Sequence, residues 1–318
     1  MKKELILISF CILNLNPCYD HWVIIEKKPS IPNVLRGDRV VKLVDGKGLN
    51  IGRVFNTLGF HDYLCLNVVG GEVGKIIESG CYKENIISDY FWIEQENRIN
   101  TAVVFEYEKK MLMINEPGPY MNQKEIALFK SFFKENIKKN SNLVISGSAP
   151  QGFESQDLIE LISYAQVNSC EIAVDIGGKW LEEIVKISPD ILKINSDEFK
   201  VAFNIDIREL NKIQTFRKKY NIRELIITQG KEGSWGFFDE ELIKTTPKTI
   251  YSDFSVGSGD SFFAGYLFGK EKKYPKEECL RIATACGIAN TFHYGAAIFY
   301  KEDFEKQLEN VDTMRVIL

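Results

Sequence analysis

Apolar positions along the chain follow two rhythms, and their alternation predicts the fold. Glu4–Asn14 is an apolar run with little polar relief, the pattern of a strand buried on both faces. Apolar residues recur at helical spacing over Gln123–Lys138, Ser155–Asn168, Trp180–Ile187 and Glu209–Tyr220, with another helix after Ser196. Between them stand the short runs Leu143–Ser146, Ile172–Asp175, Ile191–Ile194 and Glu224–Thr228. Helices and strands alternating in this way predict an α/β fold whose parallel strands are joined by right-handed crossovers. Earlier in the chain, Tyr63–Val69 reads as a strand and Glu72–Ser79 as a helix. Trp22–Arg39 and Val40–Val44 are less regular and suit strands of a small separate sheet, and Ile86–Trp92 and Thr101–Tyr107 read as further strands. Ser234–Phe238 and Leu242–Thr245 predict a hairpin around Asp239-Glu240, followed by a helix over Lys276–Phe292 and a charged one around Glu302–Glu309. With 318 residues, the expectation is one large domain over 1–318 with an appendage.

One stretch breaks both rhythms. In Ser255-Val256-Gly257-Ser258-Gly259-Asp260-Ser261-Phe262-Phe263-Ala264-Gly265, two glycines open an apolar helix and an aspartate sits in its first turn. First-turn N–H groups have no partner inside a helix, and the helix dipole adds about half a positive charge there. Glycines let a ligand come close to that backbone, so the expectation is an anion site, above all a phosphate site. Asp45-Gly46-Lys47-Gly48-Leu49-Asn50 is a second such turn, leading into a helix with Ile51, Val54, Phe55 and Leu58 on one face. It is not a phosphate-binding loop of the GxxxxGK[ST] kind, because Gly48 follows Lys47.

Composition narrows the chemistry. Apolar residues at 45% and charged residues at 26% are ordinary for a soluble globular protein. A net charge of −4 argues against a nucleic-acid binder without excluding small anionic substrates. Seven cysteines form no CxxC pair, and the three histidines, at 21, 61 and 293, are scattered, so neither a disulfide framework nor a zinc site is expected. Met1-Lys2-Lys3 before an apolar run imitates a signal peptide, but no small-residue cleavage site follows. The expectation is a buried first strand, no membrane span and a reducing cytoplasm.

The ends of the expected strands carry polar groups one after another: Asn16 and Asp20, Ser146-Gly147-Ser148, Asp175, Lys193 with Asn195 and Glu198, and Thr228 with Gly230 and Gly233. Open α/β sheets bind ligands at that edge. A polar cleft with two glycine-based anion loops and an aspartate between them suits phosphoryl transfer, where catalysis is mainly positioning and charge neutralisation.

These residues resemble a known family. Gly257-Ser258-Gly259-Asp260-Ser261 with Ala264-Gly265 resembles the C-terminal signature of the PfkB, or ribokinase-like, sugar kinases, and Gly46-Lys47-Gly48-Leu49-Asn50-Ile51 resembles their N-terminal one. The likeness continues in order through Asn16-Pro17-Cys18-Tyr19-Asp20, Arg98-Ile99-Asn100, Asn115-Glu116-Pro117-Gly118-Pro119 and Lys193-Ile194-Asn195-Ser196-Asp197-Glu198, and within the family it points to the phosphosugar branch. The resemblance implies a doubly wound, mostly parallel sheet of about nine strands flanked by helices. It also implies a small β lid from segments near 22–44 and 86–107, through which two subunits pair.

Carried over by position, Asp260 would be the catalytic base, with Gly257, Ser258 and Gly259 forming the anion hole. Asp20, Gly46, Lys47 and Asn50 would hold the sugar, and Arg98, Ser146, Lys42 and Arg36 its existing phosphate. Lys193, Thr228, Gly230, Gly233, Ser255 and Asn290 would line the nucleotide side, Asn290 at the adenine. Asn195 and Glu198 would hold Mg²⁺, partly through water. The implied reaction is ATP- and Mg²⁺-dependent phosphorylation of a sugar phosphate, fructose 1-phosphate first, with tagatose 6-phosphate or fructose 6-phosphate as alternatives. A sensor that binds without turnover is the alternative of another class. Its motivation is Asp45, where the family has a small residue, and Phe254, at a position usually polar; Asn97 at a Thr-like position and Ala149 where Leu is common are further departures. A carboxylate at 45 would repel a phosphosugar unless Lys47 or Lys42 compensates.

Overall fold

A computed structural model describes residues 8–28, 34–239, 241–248 and 254–317. The charged start at Met1–Lys3, the first part of the expected Glu4–Asn14 strand and Glu240 of the expected turn lie outside the described residues. The strands are β1 (Phe10–Asn14), β2 (Cys18–Ile25), β3 (Arg39–Asp45), β4 (Tyr63–Gly70), β5 (Ser88–Ile93), β6 (Arg98–Phe105) and β7 (Lys110–Ile114). They continue with β8 (Asn142–Ser146), β9 (Glu171–Asp175), β10 (Ile191–Asn195), β11 (Glu224–Thr228), β12 (Ser234–Phe237), β13 (Glu241–Pro247) and β14 (Val311–Ile317).

Ten of them form one sheet in the order β14-β13-β12-β11-β10-β9-β8-β1-β4-β5. From β5 across to β11 neighbouring strands run parallel, and β12 to β14 are added antiparallel at one end. Helices cover both faces, which is why β1 is apolar at nearly every position. Phe10 and Ile12 enter one core with Phe55, Phe263 and Ala283. Cys11 and Leu13 enter the other with Phe129, Leu161 and Ile194, as the two-residue period of a strand requires. All seven cysteines are free and buried, acting as small hydrophobes. Among the described residues no helix is long and apolar enough to cross a membrane.

The remaining strands form a small sheet in the order β3-β2-β6-β7. This corrects the expected lid boundaries. Residues 88–93 pair with β4 as the edge of the large sheet, and β7, which the pattern did not single out, closes the small one. The C-terminal β14 also went unpredicted, because its residues alternate only weakly and it gains its place by pairing with β13. On the inner face of the small sheet Trp22, Ile24, Leu43, Ala102 and Val104 form a third core, against which Val256 and Ile298 of the main body pack.

Two features of this layout position the site. Strand order reverses at β1, with β4 and β5 on one side and β8 onward on the other, and such switch points open a crevice at the strands' carboxyl ends. Only Leu15, Asn16 and Pro17 separate β1 from β2, so the small sheet is held directly above that crevice. Its other attachment uses Asn97, one of the departures noted above. Asn97 is buried, takes the Gly70 N–H on its Oδ1 at 2.7 Å and donates from Nδ2 to the Val68 carbonyl at 3.1 Å, so its role is to tie β6 to the end of β4.

Asn97→Ala leaves a buried N–H and a buried carbonyl unpaired, at about 1–3 kcal/mol each. Urea unfolding should show a loss of at least about 2 kcal/mol. A change within about 0.5 kcal/mol would mean that water replaces the amide.

Candidate active site

Two helices point bare N-termini into the crevice. The Lys47–Thr57 helix starts after Gly46 at φ 137°, and the Ser258–Glu271 helix after Gly257 at φ 81°, neither with a side-chain cap. Both glycines are required by φ and by space. A Cβ on Gly46 would stand 2.6 Å from Asn14 Oδ1, and one on Gly257 2.5 Å from the Ala297 nitrogen. Among the described residues the N–H groups of Gly259 and Asp260 have no acceptor, which is the arrangement that receives an anion. Asn290 shapes this loop. It donates from Nδ2 to the Val256 carbonyl at 2.8 Å and to Ser258 Oγ at 2.9 Å, and accepts from the Ala297 N–H at 2.6 Å.

Asp260 sits where the two helix ends meet, 6% exposed, and accepts from Asn50 Nδ2 at 2.8 Å. Asn50 is oriented in turn by Arg53, whose Nη1 donates to Asn50 Oδ1 at 2.7 Å. Lys47 and Lys193 both reach the buried Asp175, at 3.2 and 3.1 Å. Lys193 Nζ lies about 3.0 Å from where a Cβ on Gly259 would stand, so its ammonium faces the anion loop. These surroundings separate the carboxylates. Burial pushes Asp260 up to about 6, with Asp175 adding to the rise while Lys47, the Asn50 hydrogen bond and Lys193 oppose it. Burial also acts on Asp175, but there Lys193 and Lys47 outweigh it and hold the group below the usual carboxylate range.

Two cavities flank this point. One, of about 320 Å³, is lined by Thr228, Gly230, Gly233, Ser255, Ser258 and Gly259 together with Phe262, Ile288 and Thr291. The other, of about 280 Å³, is lined by Asn14, Asn16, Lys47, Arg98, Ser146, Gly147, Ser148 and Gly177. Arg98 donates from Nη2 to the Asn16 carbonyl at 3.2 Å, while its buried Nε has no partner among the described residues, leaving a guanidinium with donor capacity to spare. Asp20 and Asn50 are buried beside these cavities rather than on their walls. Asn195 caps its helix by accepting the Glu198 N–H at 2.8 Å, and the exposed Glu198 carboxylate packs over Gly177 toward Lys47. A free carboxylate and an amide oxygen are hard oxygen donors, and they fit a magnesium ion that keeps most of its water.

Three expected site residues fall elsewhere. Lys42 alternates out of phase with Leu43 and Asp45, and lines a separate cavity with Tyr19, Lys75 and Lys83 on the outer side of the small sheet. Arg36 is exposed in the loop before β3 and lines none of these cavities. Asn290 is 1% exposed and spent on the anion loop, so Thr284, Gly287, Ile288 and Thr291 of the same segment form the cavity wall instead. Phe254 packs on Tyr294 at 5.4 Å and lines a different cavity, and Ala149 packs on the second core. The charge of Asp45 is met by neither expected lysine, since Lys47 is turned to Asp175 and Lys42 lies on the other face. The pattern placed Asp175 at the cleft edge without giving it a role, and it left out Asn14 and Arg53. A lone polar residue at the end of an apolar run was the available signal for Asn14, whereas nothing in its helix distinguishes Arg53 from a surface arginine.

The sequence profile described as pfkB family carbohydrate kinase matches residues 13–303. The chain is 27% identical over 310 residues to a tagatose-6-phosphate kinase of Staphylococcus epidermidis, covering 96% of this chain and 99% of that one. It is 26% identical to a 1-phosphofructokinase of Borreliella burgdorferi, covering 93% and 95%. Phosphofructokinase-2 from Escherichia coli, solved with substrates and products, superposes with a TM-score of 0.88 at 25% identity, covering 95% of this chain and 99% of that one.

Lys47→Met removes a cation beside Asp260, so the Asp260 carboxyl should titrate above the value of about 6 set in the intact site. Carbon NMR of the aspartate carboxyls reads this directly. An unchanged titration would mean that Lys47 does not act on Asp260.

Proposed function

From a chain that belongs to the pfkB family of carbohydrate kinases, we infer an ATP-dependent kinase acting on a sugar phosphate, with fructose 1-phosphate as the leading acceptor. The observation that carries this reading is the position of Asp260: a buried carboxylate at an uncapped helix N-terminus, between two cavities and within the field of two lysines. The 320 Å³ cavity suits the nucleotide, with Gly259 at its inner end, and the 280 Å³ cavity suits the phosphosugar, with Arg98 available to its phosphate. The relatives named for tagatose 6-phosphate and fructose 1-phosphate favour the phosphosugar class and leave tagatose 6-phosphate as the second acceptor to test.

In this reading Asp260 takes the proton of the acceptor hydroxyl as its oxygen forms the new bond to the γ-phosphorus. The bond from that phosphorus to the bridging oxygen breaks, and ADP leaves with the electron pair. Negative charge spreads over the transferring group, where the free N–H groups of Gly259 and Asp260 and the Lys193 ammonium are already oriented. Lys47 reaches the same point from the sugar side. Glu198 and Asn195 would hold a magnesium ion through water, and when bound it would supply charge neutralisation on the donor phosphates. The seven free cysteines favour a reducing cytoplasm.

The small sheet also supports a homodimer. Val40, Val23, Val103 and Leu112 stand in register across all four of its strands on the outer face, and Val40 and Leu112 are more than half exposed. A continuous apolar row of this kind is suited to burial against a second copy.

Coupled assays on fructose 1-phosphate, tagatose 6-phosphate and fructose 6-phosphate with MgATP should show turnover on at least one, and none on any would overturn the kinase reading. Asp260→Asn should lower kcat by about 10²–10⁴-fold or more and leave ATP binding near normal. Because the base must be ionised, wild-type kcat should rise with pH through about 6. For the dimer, Val40→Asp with Leu112→Asp should halve the mass seen by light scattering; a wild type that is already monomeric would exclude it.

A further inference from the structure

Asp20 and Asp45 form a buried carboxyl pair on the inner face of the small sheet, 1% and 8% exposed. Asp45 pairs in register with Cys18 across β3 and β2, and Asp20 follows two residues later on the same face. Donor atoms of Cys18, Asp20 and Asp45 all lie within 4.8 Å of one another. Asp20 Oδ1 is supplied by Cys18 Sγ at 3.2 Å and Asn100 Nδ2 at 3.0 Å, and Asp45 Oδ1 by the Gly46 N–H at 2.6 Å. Asp20 Oδ2, fully buried, has no donor among the described residues, and the Asp45 carboxyl lies within its reach. Two adjacent buried carboxylates cannot both ionise cheaply, and one proton between them supplies the missing donor.

The charged groups around the pair leave this solution in place. On the helix behind, Arg53 is engaged by Glu84, Asn50, and the Ala296 and Val44 carbonyls. On β6, Arg98 faces Cys18 and is held by the Asn16 and Glu116 carbonyls. The Cys18 thiol is pushed up by its burial and by both carboxylates, so it stays protonated. Lys47 is turned to Asp175, and His21 and Lys42 lie on the opposite face of the sheet.

We propose that Asp45 is a positioning residue that shares a proton with Asp20, so that the pair beside the sugar cavity carries one negative charge rather than two, and the sugar phosphate binds well only while that proton is held. The proposal rests on the sugar-phosphate reading above. Burial first, and then the Asp45 charge and hydrogen bond, push Asp20 up to about 8, so the proton is present at neutral pH and lost above that value. Once it is lost, two negative charges face an anionic substrate and the affinity falls.

The experiment follows KM for the sugar phosphate and for ATP from about pH 6 to about pH 9, in wild type, Asp45→Asn and Asp45→Ala. In wild type the sugar KM should rise above about pH 8, approaching about tenfold per pH unit, while the ATP KM stays level. In both variants that rise should disappear. A flat wild-type sugar KM, or the same rise in the variants, overturns the proposal. Infrared spectra give a readout that needs no turnover: the carbonyl stretch of a protonated carboxyl should be present at neutral pH, should vanish at high pH, and should be lost in Asp45→Ala. Absence of that band in wild type overturns the shared proton even in an active kinase. If the band behaves as expected but none of the sugar phosphates is bound or turned over, the kinase reading and this role of Asp45 fall together while the carboxyl pair stands.

Discussion

Two lysines converge on one buried carboxylate, and the site depends on that convergence. Asp175 ends a central strand, Lys193 comes from the neighbouring strand and Lys47 from the helix behind the first glycine turn. An unpaired charge at such a position would be costly, and removing one partner of a buried pair is strongly destabilising. The arrangement therefore holds both ammonium groups beside Asp260 before any ligand arrives. It also links the two anion loops, which lie more than 200 positions apart in the chain, since Asn50 from the first reaches Asp260 in the second.

Three of the four buried aspartates among the described residues, Asp175, Asp260 and Asp20, illustrate how neighbours, rather than residue type, set ionisation. Asp175 has two cations in contact and stays charged. Asp260 has the same cations at longer range and is poised near 6, a value suited to accepting a proton at neutral pH. Asp20 has another carboxyl as its partner and rises to about 8. One amino acid thus supplies an electrostatic anchor, a base and a proton-holding group within one cleft, as environments that push carboxyl ionisations apart allow.

Polar side chains that touch no ligand cavity do much of the positioning. Asn290 brackets the glycine loop from behind, and Asn97 ties the small sheet to the large one. Each satisfies backbone groups that would otherwise be buried unpaired, so each fixes a loop at a defined place. Arg53 does the same for Asn50.

Much of this molecule was legible in its chain. The alternation of helical and strand periods predicted the parallel sheet, because each period reports which faces an element buries. The glycine turns and Asp260 marked the anion loops, because positive φ and bare N–H groups demand particular residues at particular spacings. What the chain could not reveal depends on contacts between distant segments. Residues 88–93 joined the large sheet because β4 offered them an edge, and β14 formed because β13 offered another. Lys42 and Arg36 read as phosphate ligands by position, yet strand phase turned one away and an exposed loop carried off the other. Asp45 read as a misplaced charge, and only the register of β3 against β2 brought it to Asp20, where a proton replaces the expected lysine. Local spacing determined the elements and their chemistry. The tertiary structure alone decided the partners, because burial and pairing are properties of surfaces that meet only after the chain has folded.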